Sequence, residues 1–223
     1  MHPTANSEHL PKPRGNQPMA KSDLTIDHVI VCVPDLDRAA ASFLKRYGLR
    51  SAGGGRHPGL GTANRIIPLG DNYLELLTVV DRRAARANPF GMWATVMIEE
   101  NSMRPAGLCL RTENLPAVAN RLGVKPVSMS RTTSDGVELR WQTAGLEQTL
   151  TRGHPFFIQW DIDLADHPGR LLDGQGPIDH VVLSGRSDEL RSWLGADPGL
   201  TIIDGPPGIA GLTIRLPSGP IEL

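Results

Sequence analysis

The sequence has little cysteine, no long apolar run and no excess of either charge, and each of these absences excludes a class of protein. Cys32 and Cys109 are its two cysteines, and both stand among apolar residues of predicted strands. We therefore expect buried thiols rather than a disulfide framework or a nucleophile. No apolar run approaches the roughly 20 residues that span a bilayer, and no hydrophobic segment of a signal peptide follows Met1. We predict a cytoplasmic protein with no membrane partner.

Charge of neither sign predominates, because 23 Lys and Arg stand against 24 Asp and Glu. A balanced chain has no overall field that would attract nucleic acid. The run 81–88 is locally basic; we interpret it as a solvated loop or helix turn, with an anion-facing rim as the alternative. With 39% hydrophobic residues, 24 Gly and 19 Pro, a compact domain rich in turns is expected.

One pattern of elements recurs along the chain. The stretch 26–77 predicts a strand, a helix and three strands, with His28 on the first strand and Glu75 on the last. A shorter version returns near the C-terminus, where IDHVVL places His180 on a strand and PIEL places Glu222 on another. Further predicted strands lie at 126–131, 137–143, 156–160, 200–203 and 212–216. Repetition of one supersecondary unit is the simplest organisation that explains these matches.

The predicted fold class is α+β, with three βαβββ modules forming curved mixed sheets and the second module divergent in its polar residues. A doubly wound parallel sheet is disfavoured, since several short strands follow each helix. The segment 1–22 is rich in proline and poor in apolar residues, which predicts a disordered leader, and Met19 is a candidate start of translation. The predicted bounds are 1–22 for the leader, 23–80 for module one, 81–105 for a linker, 106–165 for module two and 166–223 for module three.

A histidine and a carboxylate on neighbouring strands of a curved sheet can point into one hollow and bind a metal. Imidazole and carboxylate ligands suit Zn, Ni, Fe or Mn. Two ligands do not make a tight site, so we expect His28 and Glu75 to be joined by His180 and Glu222 if the third module packs against the first. The alternative is that each strand histidine is a hydrogen-bonded interior residue.

Two further groups are candidates for substrate binding. His57, Thr62 and Asn64 belong to the string HPGLGTAN, which is either a glycine-rich turn motif or a set of polar groups that orients a carbonyl or carboxylate. Trp160 is the candidate for an apolar pocket wall, with core packing as the alternative. Phe90, Trp93 and Phe157 are weighed in the same way.

The strand IDHV at 26–29, the helix start PDL at 34–36 and the strand YLEL at 73–76 resemble the vicinal oxygen chelate superfamily. That group includes glyoxalase I, extradiol dioxygenases, and fosfomycin and bleomycin resistance proteins. HPGLGTAN followed by NYLELL resembles a glyoxalase-like branch of it. The resemblance covers 26–223 and is strongest over 26–77. It implies paired modules that form a cup with a divalent metal at its floor.

In that superfamily each module contributes a first-strand His and a last-strand Glu, or a substitute for either. His28 with Glu75, and His180 with Glu222, match these places. In module two, alignment of its helix start with that of module one implies Gln159 at the place of the Glu. The resemblance implies a metal-dependent lyase or isomerase in which Glu75 or Glu222 moves a proton on a small molecule with vicinal oxygens. The alternatives are a metal-free binding protein of the resistance type and, less favoured, an extradiol-type dioxygenase. A homodimer built through the third module is a further hypothesis.

Overall fold

The computed structural model describes residues 23–101, 103–133, 136–173 and 175–223, so the predicted leader 1–22 lies outside the described residues. No helix in these ranges is both long and apolar enough to cross a bilayer. Three sets of strands and helices follow one another along the chain and form two sheets. The predicted α+β fold of curved mixed sheets is confirmed.

Module one has the predicted order of one strand, one helix and three strands. Asp35 caps the helix by accepting a hydrogen bond from the Arg38 amide, and Gly48 ends it in the left-handed region at φ 72°, as the sequence predicts. The elements are β1 (Thr25–Cys32), α1 (Leu36–Tyr47), β2 (Ala52–His57), β3 (Thr62–Pro68) and β4 (Tyr73–Val79).

The segment predicted as a linker contains two helices, α2 (Arg82–Arg86) and α3 (Pro89–Asn101). Asp81 caps α2 through two backbone amides, and the arginines of this basic run are exposed, in agreement with a solvated helix turn. Gly91 lets the two helices approach closely, because a Cβ there would clash with the backbone of Ala85. α3 lies against β1 and β4 on the concave side of the sheet.

Module two has the expected strands and one additional helix between its last two. The elements are β5 (Pro105–Arg111), α4 (Leu115–Leu122), β6 (Val127–Thr132), β7 (Glu138–Ala144), α5 (Leu146–Arg152) and β8 (Phe156–Trp160). Module three repeats the simpler order, with β9 (Ile178–Gly185), α6 (Ser187–Leu194), β10 (Thr201–Asp204), β11 (Gly208–Leu216) and β12 (Gly219–Glu222).

Modules one and two share one eight-stranded sheet, in the order β2-β3-β4-β1-β5-β8-β7-β6. β1 and β5 join them as an antiparallel pair in which His28 faces Cys109 and Ile30 faces Gly107. The outer edges meet where Arg131 Nη1 donates a hydrogen bond to the Gly54 carbonyl, at 3.0 Å. The sheet therefore curls into a nearly closed cup. Both cysteines are buried and unbonded to each other, as predicted.

Module three forms a separate four-stranded sheet, in the order β10-β9-β11-β12. Its Val181 and Leu212 share a hydrophobic core with Val29 and Val31 of β1, whereas Ile30, which alternates with those two valines, faces the concave side. The second sheet thus packs on the convex face, opposite the hollow. Pairing of modules one and two leaves the third without access to the cup.

Candidate functional site

The concave face carries a cavity that opens to solvent. Polar side chains come mainly from module one, and an apolar, largely aromatic wall comes from module two and α3. The lining residues are His28, Ile30, His57, Asn64, Tyr73, Glu75, Phe90, Met129, Arg131, Trp141, Thr143, Leu146, Phe156, Ile158 and Trp160.

Glu75 lies at the centre of the polar part of the cavity, and its two carboxylate oxygens have different neighbours. Oε1 accepts a hydrogen bond from Asn64 Nδ2 at 2.7 Å and lies 3.7 Å from His57 Nε2. Oε2 lies 3.5 Å from His28 Nε2. Three of the predicted residues on strands β1, β2 and β3 therefore surround the predicted carboxylate on β4.

His28 is oriented from behind by Asp27, whose Oδ1 lies 2.7 Å from His28 Nδ1. The other oxygen of Asp27 accepts hydrogen bonds from Trp160 Nε1 and lies within 3.0 Å of His167 Nε2. Arg111 Nη1 lies 3.4 Å from the same oxygen. Every oxygen of this fully buried carboxylate is thus engaged.

Burial alone would raise the pKa of Asp27, but its hydrogen bonds with His167 and His28 outweigh burial and hold the pKa below its usual value. The carboxylate is therefore ionised and accepts the proton on Nδ1 of His28, a tautomer that we assign from these partners. Nε2 of His28 then presents a lone pair to the cavity. This is the carboxylate–histidine arrangement that orients metal-binding imidazoles.

His57 is held by Thr62, whose Oγ1 lies 2.8 Å from Nδ1. Burial lowers the pKa of His57, Glu75 opposes that shift, and the charge of Arg131 adds to it. The ring is consequently neutral at pH near 7. Thr62 itself does not line the cavity and acts through the imidazole.

The donor atoms of module one fit a divalent metal. His28 Nε2 and Glu75 Oε2 are both potential ligand atoms, and they lie 3.5 Å apart, farther than in an ordinary hydrogen bond. Two ligands bound at roughly 2.1 Å to one tetrahedral ion lie about 3.4 Å apart. His57 Nε2 lies 3.7 Å from the other oxygen, Oε1, but among the described residues the three ligand atoms that all lie within 4.8 Å of one another belong to Asp27, His28 and Cys109. His28 and Glu75 are therefore the pair whose spacing fits one ion.

A second group of donors, Asp27, His28 and Cys109, has its ligand atoms within 4.8 Å of one another. This group is a poorer metal site, because both Asp27 oxygens already have partners. Burial and the nearby charges of Asp27 and Glu75 raise the pKa of the Cys109 thiol well above its usual value. A protonated thiol is a weak ligand.

Module two contributes no histidine or carboxylate at the places equivalent to His28 and Glu75. The reciprocal pairing of β1 with β5 places Gly107 opposite Ile30, and the β5–β8 register places Phe156 beside Cys109. Phe156, rather than the predicted Gln159, therefore faces His28, with ring centroids 5.6 Å apart. Gln159 points to the convex side, where its Oε1 accepts a hydrogen bond from the Leu115 amide, so its prediction as a substrate contact is corrected.

His180 and Glu222 are not brought to His28 and Glu75. Both align with Thr213 in the second sheet, and Thr213 Oγ1 lies 3.3 Å from Glu222 Oε1. His180 is half-buried and Glu222 exposed. The expected four-residue metal site is therefore wrong in its third and fourth members, because the sheet that carries them packs on the other face of the cup.

Two of the four aromatic residues weighed as pocket walls line the cavity, and other lining residues were not predicted. Trp160 lines the cavity as predicted, and Phe90 does so as well. Phe157 belongs to the convex core and Trp93 to the packing of α3. The lining residues that were not predicted include Trp141 and Arg131. The alternation of β7 places Trp141 on a face of the sheet, but the divergent polar residues of module two gave no reason to expect a cavity there, and Arg131 was predicted only as the last residue of a strand.

The paired modules, the curled sheet and the cup-floor His and Glu define a vicinal oxygen chelate domain. A family model described as a glyoxalase-like domain matches residues 26–202. The chain belongs to this glyoxalase-like domain family. A comparison with curated proteins gives no match.

Among solved structures, a hypothetical protein from Staphylococcus aureus is similar at 24% identity and a TM-score of 0.63, over 89% of this chain and 84% of that one. Methylmalonyl-CoA epimerase from Mycobacterium tuberculosis is 18% identical, with a TM-score of 0.42, over 61% and 86%. A hypothetical protein from Bacillus halodurans is 10% identical, with a TM-score of 0.44, over 62% and 94%. The first likeness supports the fold, and the other two are too distant to indicate a reaction.

Proposed function

We propose that this protein is a metal-dependent lyase or isomerase in which Glu75 moves a proton on a small molecule with vicinal oxygens. The observation that carries the proposal is the position of Glu75 between His28 and His57 in a cavity whose opposite wall is largely aromatic. A carboxylate in such surroundings is suited to abstract a proton from carbon next to a carbonyl and return it to the neighbouring atom.

His28 and Glu75 would hold the ion, with His57 beside Glu75 and with Zn, Ni, Fe or Mn as candidates. When bound, such an ion polarises carbonyl oxygens as a Lewis acid. Asp27 fixes the tautomer of His28, and Thr62 fixes the ring of His57. Asn64 binds one oxygen of Glu75 and leaves the other to face the cavity.

The test measures proton exchange at carbon. A panel of hydroxyketones and hemithioacetals is incubated with metal-loaded protein in D₂O, and loss of the C–H signal is followed by NMR. Glu75→Gln should slow exchange about 100-fold or more, while the exposed Glu138→Gln should exchange at the wild-type rate. Exchange that persists at full rate in Glu75→Gln would refute the role of this carboxylate.

A second candidate function is metal-free binding of a small, partly aromatic molecule. It is favoured by the apolar half of the cup, where Gly107 and Phe156 stand in place of a second His and Glu. Metal analysis separates the two functions. Stoichiometric metal that is lost in His28→Ala supports the enzyme, whereas substoichiometric metal in both, with no exchange after addition of Zn, Ni, Fe or Mn, supports the binder.

The cytoplasmic location and the homodimer are further parts of the proposal. A dimer built through the third module would not use Trp193 of that module, because its ring packs on His154 and Phe157 of the same chain. Light scattering of the full chain tests it.

A further inference from the structure

Arg131 is the only buried Arg or Lys in the described parts of the chain, with 3% of its surface exposed. It lies on β6 and lines the cavity together with Glu75 and His57. Its guanidinium has no ion-pair partner within 4.0 Å among the residues that the structure describes. Burial of a cation costs free energy unless the cation is paired and hydrogen-bonded.

One hydrogen bond engages only one of the three nitrogens of the guanidinium. Nη1 donates to the Gly54 carbonyl at 3.0 Å, while Nε and Nη2 have no partner in the described structure. Among the described residues, the side-chain N and O atoms that are fully buried and lack a hydrogen-bond partner are Gln148 Oε1, Thr149 Oγ1 and His154 Nδ1. Nε and Nη2 of Arg131 are not fully buried in this sense. They therefore retain access to the adjoining cavities, and a planar guanidinium with free N–H groups is suited to a carboxylate or phosphonate.

The other residues that line the cavity indicate which chemical group the ligand should carry besides the anion. Trp141 and Trp160 lie with ring centroids 5.3 Å apart, and Phe156 and Phe90 continue the wall. Aromatic rings pack well against such surfaces. A neutral or cationic ligand would leave Arg131 unpaired inside the protein, whereas an anionic ligand would pair with it.

We propose that Arg131 pairs with an anionic oxygen group of the substrate, so that the cup selects small aryl-sized anions over their neutral analogues. This inference rests on the proposed use of the cup as the substrate site, and it extends that function by naming the charge class of the substrate. The competing explanation is purely structural, with Arg131 serving only to join the edges of β2 and β6 through Gly54.

The test uses calorimetric binding of phenylglyoxylate, phenylphosphonate and methyl phenylglyoxylate to the full chain. EDTA is present throughout, so that a metal cannot supply the attraction for the anion. Wild type should bind at least one anion about tenfold or more tightly than the neutral ester. This arm needs no variant, and it is independent of metal content and of the exchange activity of Glu75. Failure of the catalytic proposal is thereby distinguishable from failure of this one.

The variants separate charge from structure. Arg131→Gln keeps a polar side chain but removes the charge and should abolish the preference for the anion, while Arg131→Lys should retain part of it. Arg140→Gln, at an exposed arginine paired with Glu138, is the matched control and should bind as wild type does. Equal affinity for acid and ester, undetectable binding of both anions, or an unchanged preference in a folded Arg131→Gln protein would overturn the proposal.

Discussion

Asp27 and His28 are sequence neighbours whose side chains meet, with Oδ1 and Nδ1 2.7 Å apart. On a regular strand, consecutive side chains point to opposite faces. The register of β1 against β5 shifts between Ile26 and His28, and such a bulge re-aims side chains locally. The carboxylate can therefore orient the imidazole from within the same strand.

Replacing Asp27 should weaken metal binding without removing a ligand. Asp27→Asn loses the charge that fixes the His28 tautomer, and loss of such a partner typically costs about 10- to 100-fold in metal affinity. Competition of zinc against a chelating dye measures the change. Asp37→Asn removes an exposed partner of Arg65 and should leave the affinity unaltered. Equal affinities for wild type and Asp27→Asn would contradict the proposed orientation.

His154 should make the protein less stable in mild acid. Its ring is buried beside Trp193, and burial, followed by the charge of Arg152, lowers its pKa. As the pH falls below about 6.5 the unfolded chain binds a proton that the folded chain resists. The stabilisation is therefore present above that pH and is lost towards the lower folded pKa.

Urea denaturation at pH near 7 and near 5 checks this expectation. The free energy of unfolding should be lower at the acidic pH than at the neutral pH in wild type. The decrease should be smaller in His154→Phe, which keeps a ring but cannot titrate. His57 has a lowered pKa too and remains in both proteins, so some decline persists. Identical declines in the two proteins would exclude His154 as a contributor.

Trp193 should contribute to the docking of module three on module two. Its Nε1 donates to the Pro155 carbonyl at 2.7 Å, and its ring contacts Phe157. Trp193→Phe should cost about 1 kcal/mol for the lost hydrogen bond, and Trp193→Ala about 3 kcal/mol for the lost packing. Chemical denaturation measures both, with the exposed Leu44→Ala expected to change stability by less than about 0.5 kcal/mol. A Trp193→Ala protein as stable as that control would contradict the contact.

Gly54 should be intolerant of any side chain. Its φ is +108°, and a Cβ would clash with the backbone carbonyl of Asn64, the residue that holds Glu75. Gly59 has φ +74° but open space around it, so Gly59→Ala should cost only about 1 kcal/mol of backbone strain. Gly54→Ala should lower the melting temperature further and also reduce binding of zinc. Equal melting temperatures for the two variants would show that the strand moves freely to accept the methyl group.

The pair His28 and Glu75 was predicted from the recurrence of a strand His and a strand-end Glu together with the family resemblance, and strand alternation then assigned each residue to a face, because the side-chain period of a strand is two. The prediction failed at Gln159, because alignment of module two with module one assigned this residue to the wrong face of β8. The intervening α5 changes the length between the helix cap and β8. The observed ladder, rather than sequence spacing, identifies Phe156 as the equivalent of Glu75.

Contacts between residues that are far apart in the chain could not be predicted from the sequence. His167 lies in a segment without periodicity, yet it reaches Asp27 across 140 positions. The unpaired state of Arg131 depends on what surrounds it in space, and its strand position gave no indication of that. α3 has no apolar stripe of helical period, so neither its existence nor its place beside the cup followed from the pattern.

The cup has chemically unequal halves, with His28, His57 and Glu75 of module one on one side and Arg131 and the aromatic rings of module two on the other. A carbon atom held between them faces Glu75 from a single direction. Protons would then be taken and returned on one prochiral face only, so a racemic mixture should be consumed to the extent of one enantiomer, with deuterium delivered stereospecifically.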